Sequence, residues 1–192
     1  MNCRFSVTNS SFIVPHSSFF SLMNNEKRIV LTGFMGVGKS TVAKCLAYLL
    51  QCEKLDLDKF IEQSEHRSVL QIIESDGEAR FREIETEGLR KILMQTEARV
   101  ISLGGGSWIT PQNRELIKAH RCTTVWLEST FEHCWRNISC SKQPRPLAKN
   151  KKLAEELFDE RQKIYCLADW HFIVEPQLTS FDIAKRIAEE IF

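Results

Sequence analysis

A chain of 192 residues holds one well-buried domain and is too short for two comfortable ones. Its formal net charge is +1 with 43% hydrophobic residues, so the totals indicate no nucleic-acid binder, acidic tail or disordered protein, and point instead to a small ligand. Seven cysteines, an odd number with no C-x-x-C pair, argue against a disulfide framework or a zinc site. No apolar run approaches the roughly 18 residues of a membrane-spanning helix. A monomer in a reducing cytoplasm, bound to neither membrane nor nucleic acid, is therefore expected.

Residues 1–25 carry no acidic residue and one arginine, Arg4. Transit peptides are richer in arginine, and a secretory signal needs a longer apolar core than Phe12 to Val14. The expectation is a disordered tail, or an artefact of a start that belongs at Met23, ahead of targeting. Residues 26–192 form the single domain.

From Lys27 strands and helices alternate, the pattern of a parallel sheet with helices on both faces. Arg28 to Leu31 is the first strand, and Lys39 to Leu50, apolar at helical spacing, the first helix. Lys54 to Leu57 is a second strand, followed by polar helices from Lys59 to Thr96. The third strand, Arg99 to Leu103, ends in Gly104-Gly105-Gly106, and Pro111 opens a helix to Ala119. Thr123 to Leu127 is the fourth strand. Ser129 with Glu132, and Thr179 with Asp182, have the spacing of capping boxes for a helix through Ile138 and for the C-terminal helix. Phe172 to Val174 is the last strand, and Trp126 and Trp170 are expected in the core. The segment Ser139 to Asn150, with Pro144 and Pro146, is irregular.

Chemistry concentrates between the first strand and helix. Gly33-Phe34-Met35-Gly36-Val37-Gly38-Lys39-Ser40-Thr41 has the P-loop form G-x-x-x-x-G-K-[ST] between a strand and a helix, the context the motif requires. Its glycines turn backbone N–H groups onto phosphate oxygens, and the helix adds the positive end of its dipole. Gly36 to Thr41 would cradle ATP, Lys39 would reach the β and γ phosphates, and Ser40 would offer its hydroxyl to Mg²⁺. Ligands of open α/β sheets bind at the carboxyl ends of strands, which directs attention to Asp56 and Asp58. The third strand lacks a terminal aspartate, so Asp56 becomes the candidate for magnesium. Asp58, on the same side by strand period two, is then either a chemical group or the cap of the helix after it.

The P-loop, Leu55-Asp56-Leu57-Asp58, Asp76-Gly77-Glu78 with Phe81-Arg82, Leu103-Gly104-Gly105-Gly106, Arg145-Pro146-Leu147, and Arg161 with Tyr165, Ala168 and Asp169 together resemble shikimate kinase. The resemblance runs from Ile29 to the end and preserves the order of the family's motifs. It implies the fold of the nucleoside monophosphate kinase group, a five-stranded parallel sheet with a mobile lid at about 139–152. It also implies phosphorylation of the 3-hydroxyl of shikimate by ATP with Mg²⁺. By the same resemblance Lys39 is the phosphate lysine, Ser40 the magnesium hydroxyl, and Asp56 a magnesium contact through water. Asp58 orients and deprotonates the attacking hydroxyl, and Arg82 and Arg161 hold the shikimate carboxylate. Gly104, Gly105 and Gly106 form the loop on which substrate hydroxyls rest, Arg145 is the lid arginine, and Arg136 falls near the arginine that contacts adenine. The pattern departs at Ala148, where the family often has leucine, and in the N-terminal extension.

Physics supports these assignments. Phosphoryl transfer is catalysed chiefly by positioning and charge stabilisation, and arginine's fork matches a carboxylate bidentately. For Arg82 the alternative is an ion pair with Glu78 or Glu85 at helical spacing. A gluconate-type or nucleotide kinase of the same fold, or a non-catalytic nucleotide-binding relative, are the rival functions. No guanine-reading N-K-x-D stretch is present, and Lys39, Asp58 and Arg145 are all retained. His133 to Ala154 holds Arg136, Lys142, Arg145, Lys149, Lys151 and Lys152 and no acid, so self-repulsion should keep it open until a triphosphate draws it in.

Overall fold

The computed structural model describes residues 27–141 and 150–192. Arg145 and most of the expected lid lie outside the described residues, as does Cys3.

Five parallel strands form one sheet in the order β2-β3-β1-β4-β5: β1 Ile29–Thr32, β2 Lys54–Asp56, β3 Val100–Ser102, β4 Thr123–Glu128 and β5 Trp170–Ile173. Central β1 pairs Ile29 with Val100 on one side and with Thr123 on the other. Ile29, Val30, Leu31 and Thr32 are all fully buried. Successive side chains point to opposite faces, so an unbroken buried run means that both faces are covered. That run is the reason for the apolar, β-branched sequence of β1.

The helices are α1 Lys39–Leu49, α2 Leu57–Glu65, α3 Val69–Gln95, α4 Pro111–Ala119, α5 Phe131–Cys140, α6 Lys151–Tyr165 and α7 Ser180–Ile191. A 3₁₀ turn, Ser107–Ile109, follows the triple glycine. Helix α3 is broken at Gly77, whose φ of 86° and ψ of 163° suit glycine alone, so its first two turns lie at an angle to the rest. Arg28 anchors the far end of α3 to the start of β1, donating to the carbonyls of Leu93 at 2.7 Å, Ala98 at 3.0 Å and Ile92 at 3.2 Å. The orphan carbonyls of a helix C-terminus thereby gain partners. Among the described residues no helix is long and apolar enough to cross a membrane.

Several expectations need correction. The cap of α5 is Thr130, which accepts from the His133 amide, while Ser129 instead donates to Val174 O at 3.0 Å. The Thr179–Asp182 capping box is present as expected. The last strand starts two residues earlier than the expected Phe172, because β5 pairs from Trp170 onward with β4. Trp170 is 38% exposed and not in the core, since β5 is an edge strand; Trp126 is buried at 6%. Helix α6 had no counterpart in the reading by periodicity.

Candidate active site

The loop after β1 turns sharply at Gly38, where φ is 103° and an added Cβ would meet nothing within 4 Å. Glycine is there for its backbone freedom and not for space. Gly38 also caps α1, so the helix's first amides open into a pocket lined by Gly36, Gly38, Lys39, Ser40, Thr41 and Asp56. Lys39 is 8% exposed, and its ammonium donates to the carbonyls of Gly33 at 2.8 Å and Phe34 at 3.0 Å. Backbone amides, an ammonium and a helix N-terminus converging on one concavity make an anion site. Val37 does not line it: its side chain is 2% exposed and its amide donates back to Phe34 O, closing the turn.

Beside this pocket the Ser40 hydroxyl donates to Asp56 Oδ2 at 2.6 Å. Two hard oxygen donors at the edge of a phosphate site fit Mg²⁺, which keeps several waters and takes one or two protein oxygens plus substrate phosphates. Among the described residues no cluster of three or more acidic, histidine or cysteine side chains could cage a metal alone.

Strand β2 ends at Asp56, which caps α2 by accepting from the Lys59 amide at 3.3 Å. The capping role considered for Asp58 therefore belongs to Asp56. Asp58 sits in the first turn of α2, not on the strand, so the two carboxylates are placed by helix geometry and not by the strand period. Its carboxylate lies against the glycine loop, where a Cβ on Gly104 would be 2.5 Å from Asp58 Oδ1. Asp58, Met35 and Gly105 line both the phosphate pocket and a second pocket next to it.

That second pocket is walled by Val69, Ile73 and Phe81 on one side and by Gly104, Gly105 and Gly106 on another, with Arg82, Glu85 and Arg161 among its polar groups. Arg82 makes both of the ion pairs that its helical spacing allows, with Glu78 at 2.9 Å and with Glu85 at 3.0 Å. Burial, the largest influence on its pKa, disfavours the charge, but Glu85 and Glu78 outweigh it and hold the guanidinium above its ordinary value. Glu85 itself is 1% exposed and also accepts from the Ser107 hydroxyl. Arg161 is 7% exposed and donates to Gly105 O at 3.2 Å. Two arginines in one half-apolar pocket suit an organic acid.

Arg136 does not line the phosphate pocket. It lies exposed on α5, its guanidinium 3.3 Å from His133 Nδ1, whereas its neighbour Asn137 lines the phosphate pocket and donates to Gly36 O at 2.8 Å. Adjacent helical residues point about 100° apart, so only one of the two can face the P-loop. Sequence reasoning did not single out Met35 or Asn137 as pocket residues, and named Glu85 only as an ion-pair partner of Arg82. Glu85 had a signal, its i,i+3 spacing from Arg82; the other two depend on how loops and helices meet. Cys134 is fully buried and burial pushes its thiol up to about 11 against the opposing charge of Lys39, so it is an inert packing residue.

The family model for shikimate kinase matches residues 35–192. A shikimate kinase of Sulfurihydrogenibium sp. is 37% identical over 166 residues, 86% of this chain and 95% of its own length. One of Persephonella marina is 36% identical over 165 residues, 86% of this chain and 99% of its own. The solved shikimate kinase of Acinetobacter baumannii in complex with shikimate superposes with a TM-score of 0.80 at 31% identity, covering 92% of this chain and 97% of that one.

Proposed function

The chain belongs to the shikimate kinase family, and from that premise we propose that it transfers the γ-phosphoryl group of ATP to the 3-hydroxyl of shikimate, a step of chorismate and aromatic amino acid biosynthesis. The observation that carries this reading is the shared wall of the two pockets. A carboxylate, Asp58, stands where an anion site meets a pocket bearing two arginines.

The phosphates of ATP occupy the P-loop, with Lys39 turned toward the β and γ oxygens and the α1 N-terminus supplying amides. Arg82 and Arg161 take the shikimate carboxylate, and the backbone of Gly104 to Gly106 supports the ring hydroxyls. Asp58 accepts the proton of the 3-hydroxyl as that oxygen bonds to the γ-phosphorus and the bond to the ADP oxygen breaks. Ser40 directly and Asp56 through water would hold Mg²⁺, which when bound neutralises charge on the phosphate oxygens. The apolar wall of Val69, Ile73 and Phe81 excludes water from the acceptor side and strengthens the charge contacts there.

Measuring ADP release with ATP and Mg²⁺, with and without shikimate, tests the proposal. Release should depend on shikimate; equal release without acceptor, or release only with gluconate or a nucleotide, would overturn it.

A further inference from the structure

Helix α6 is fastened to the loop after β3 by three hydrogen bonds. Trp108 Nε1 donates to Ile164 O at 3.0 Å, Arg161 donates to Gly105 O at 3.2 Å, and the Tyr165 hydroxyl donates to that same Gly105 carbonyl. Tyr165 is 1% exposed, and its ring lies 6.2 Å from that of Trp126. Gly105 is one of the residues common to both pockets, and a Cβ there would stand 3.3 Å from the Met35 amide, so this backbone touches the P-loop as well. Its carbonyl is thus the fixed point between acceptor and donor sites, and both of its side-chain donors come from α6.

We propose that Tyr165 is a positioning residue for the acceptor side of the reaction: its hydroxyl pins the Gly105 carbonyl, and through it sets the glycine loop and the guanidinium of Arg161 against the substrate. This rests on the reading of the pocket as the shikimate site. A carbonyl oxygen has two lone pairs, and Arg161 fills one. With only that partner the peptide can tilt toward Arg161 and carry the guanidinium off the substrate acid; with the phenol on the other lone pair it cannot. Burial pushes the phenol up to about 12, against the lowering influence of Arg161, so the O–H remains a donor across neutral pH. Tyr165 touches no reacting atom; it acts through Gly105 and Arg161.

Tyr165→Phe removes the hydroxyl and keeps the ring. The KM for shikimate should rise by about 3- to 10-fold, the effect of one lost hydrogen bond, with the KM for ATP unchanged. Trp108→Phe is the structural control, because it removes a bond between the same two elements at a residue lining neither pocket. It should lower Tm and leave the shikimate KM alone. In an Arg161→Ala background the Tyr165→Phe effect should shrink, since coupled residues are not additive. An unchanged shikimate KM, equal rises for both substrates, the same rise from Trp108→Phe, or full additivity with Arg161→Ala would each overturn the proposal. Lack of shikimate-dependent turnover in the unmodified protein would instead refute the functional reading beneath it.

Discussion

Gly106→Ala is the sharpest test of the acceptor site, because the structure states what the added methyl would strike. Its Cβ would lie 2.6 Å from both terminal nitrogens of Arg82 and 2.8 Å from its Cζ. Ordinary contact begins at 3.4 Å, so the guanidinium must retreat by 3.4 − 2.6 = 0.8 Å. The backbone at Gly106, with φ −102° and ψ −16°, is one that alanine adopts without strain. What moves is the tip of a long side chain, so the cost to folding should be small and Tm should change little. Function is less forgiving: a misplacement of about 1 Å in a positioning group can cost on the order of 100-fold. We therefore expect kcat/KM for shikimate to fall about 10- to 100-fold, with the KM for ATP close to unchanged, in an ADP-release assay titrating each substrate at saturation of the other. A folded variant with unaltered shikimate kinetics would show that the acid does not sit on Arg82. Gly38→Ala gives the opposite case, since it meets no atom but forces alanine to φ 103°. Its damage should fall on ATP.

Asp58→Asn should lower kcat by about 10²- to 10⁴-fold with a Tm close to that of the parent, because the helix cap resides on Asp56 and stays in place; near-parental turnover would remove Asp58 from the chemistry. Arg82→Ala should raise the shikimate KM and also destabilise the fold by about 1–3 kcal/mol, because buried Glu85 loses a partner. Adding Glu85→Gln should restore much of the Tm, read by calorimetry, but not the substrate affinity; recovery of both would make Arg82 purely structural. Asp182 has its pKa held low by the side-chain and backbone hydrogen bonds of Thr179. Its contribution to stability is thus full above the ordinary carboxylate value of about 3.9 and fades as pH drops through the lower folded value. Denaturant melts of Asp182→Asn should accordingly lose less stability on acidification than the parent, and identical acid slopes would contradict the capping argument.

The parts of this molecule governed by local rules could be read from the chain. A P-loop between strand and helix, a proline opening α4, and the Thr179–Asp182 box each specify their own neighbourhood, and each lies where expected. Helix α6 was not read from the chain, although Ala154, Phe158, Arg161 and Tyr165 are buried at helical spacing after the Asn150 cap. Its inner stripe holds an arginine and a small alanine, which weakens the apolar signal on which periodicity depends. Asp56 and Asp58 marked the limit of local inference: their spacing fits a strand or a helix turn, and only the point at which the chain leaves the sheet decides. For Arg82 the sequence posed ion pair and substrate contact as alternatives. A guanidinium has five N–H donors, and this one spends donors on Glu78 and Glu85 while still bordering the pocket.

The order of the strands explains why two pockets share one wall. Strands β2, β3 and β1 are neighbours in the sheet, and each delivers one shared residue just past its carboxyl end: Asp58 after β2, Gly105 after β3 and Met35 after β1. A transfer between two bound molecules requires them to meet, and here the meeting place is set by three adjacent backbone exits of a buried sheet. Side-chain flexibility contributes little to that placement. The glycine loop can approach the Asp58 carboxylate because Gly104 has no Cβ, and α6 completes the frame from outside by holding Gly105 O. Binding energy from the remote arginine contacts can then be spent on orienting one hydroxyl against one phosphate, which is the form of catalysis that phosphoryl transfer most rewards. The same geometry makes the acceptor pocket, lined by Gly104, Gly105 and Gly106, more sensitive to sub-ångström changes in the loop than the P-loop pocket, which takes Gly105 from these three and is anchored on the α1 N-terminus.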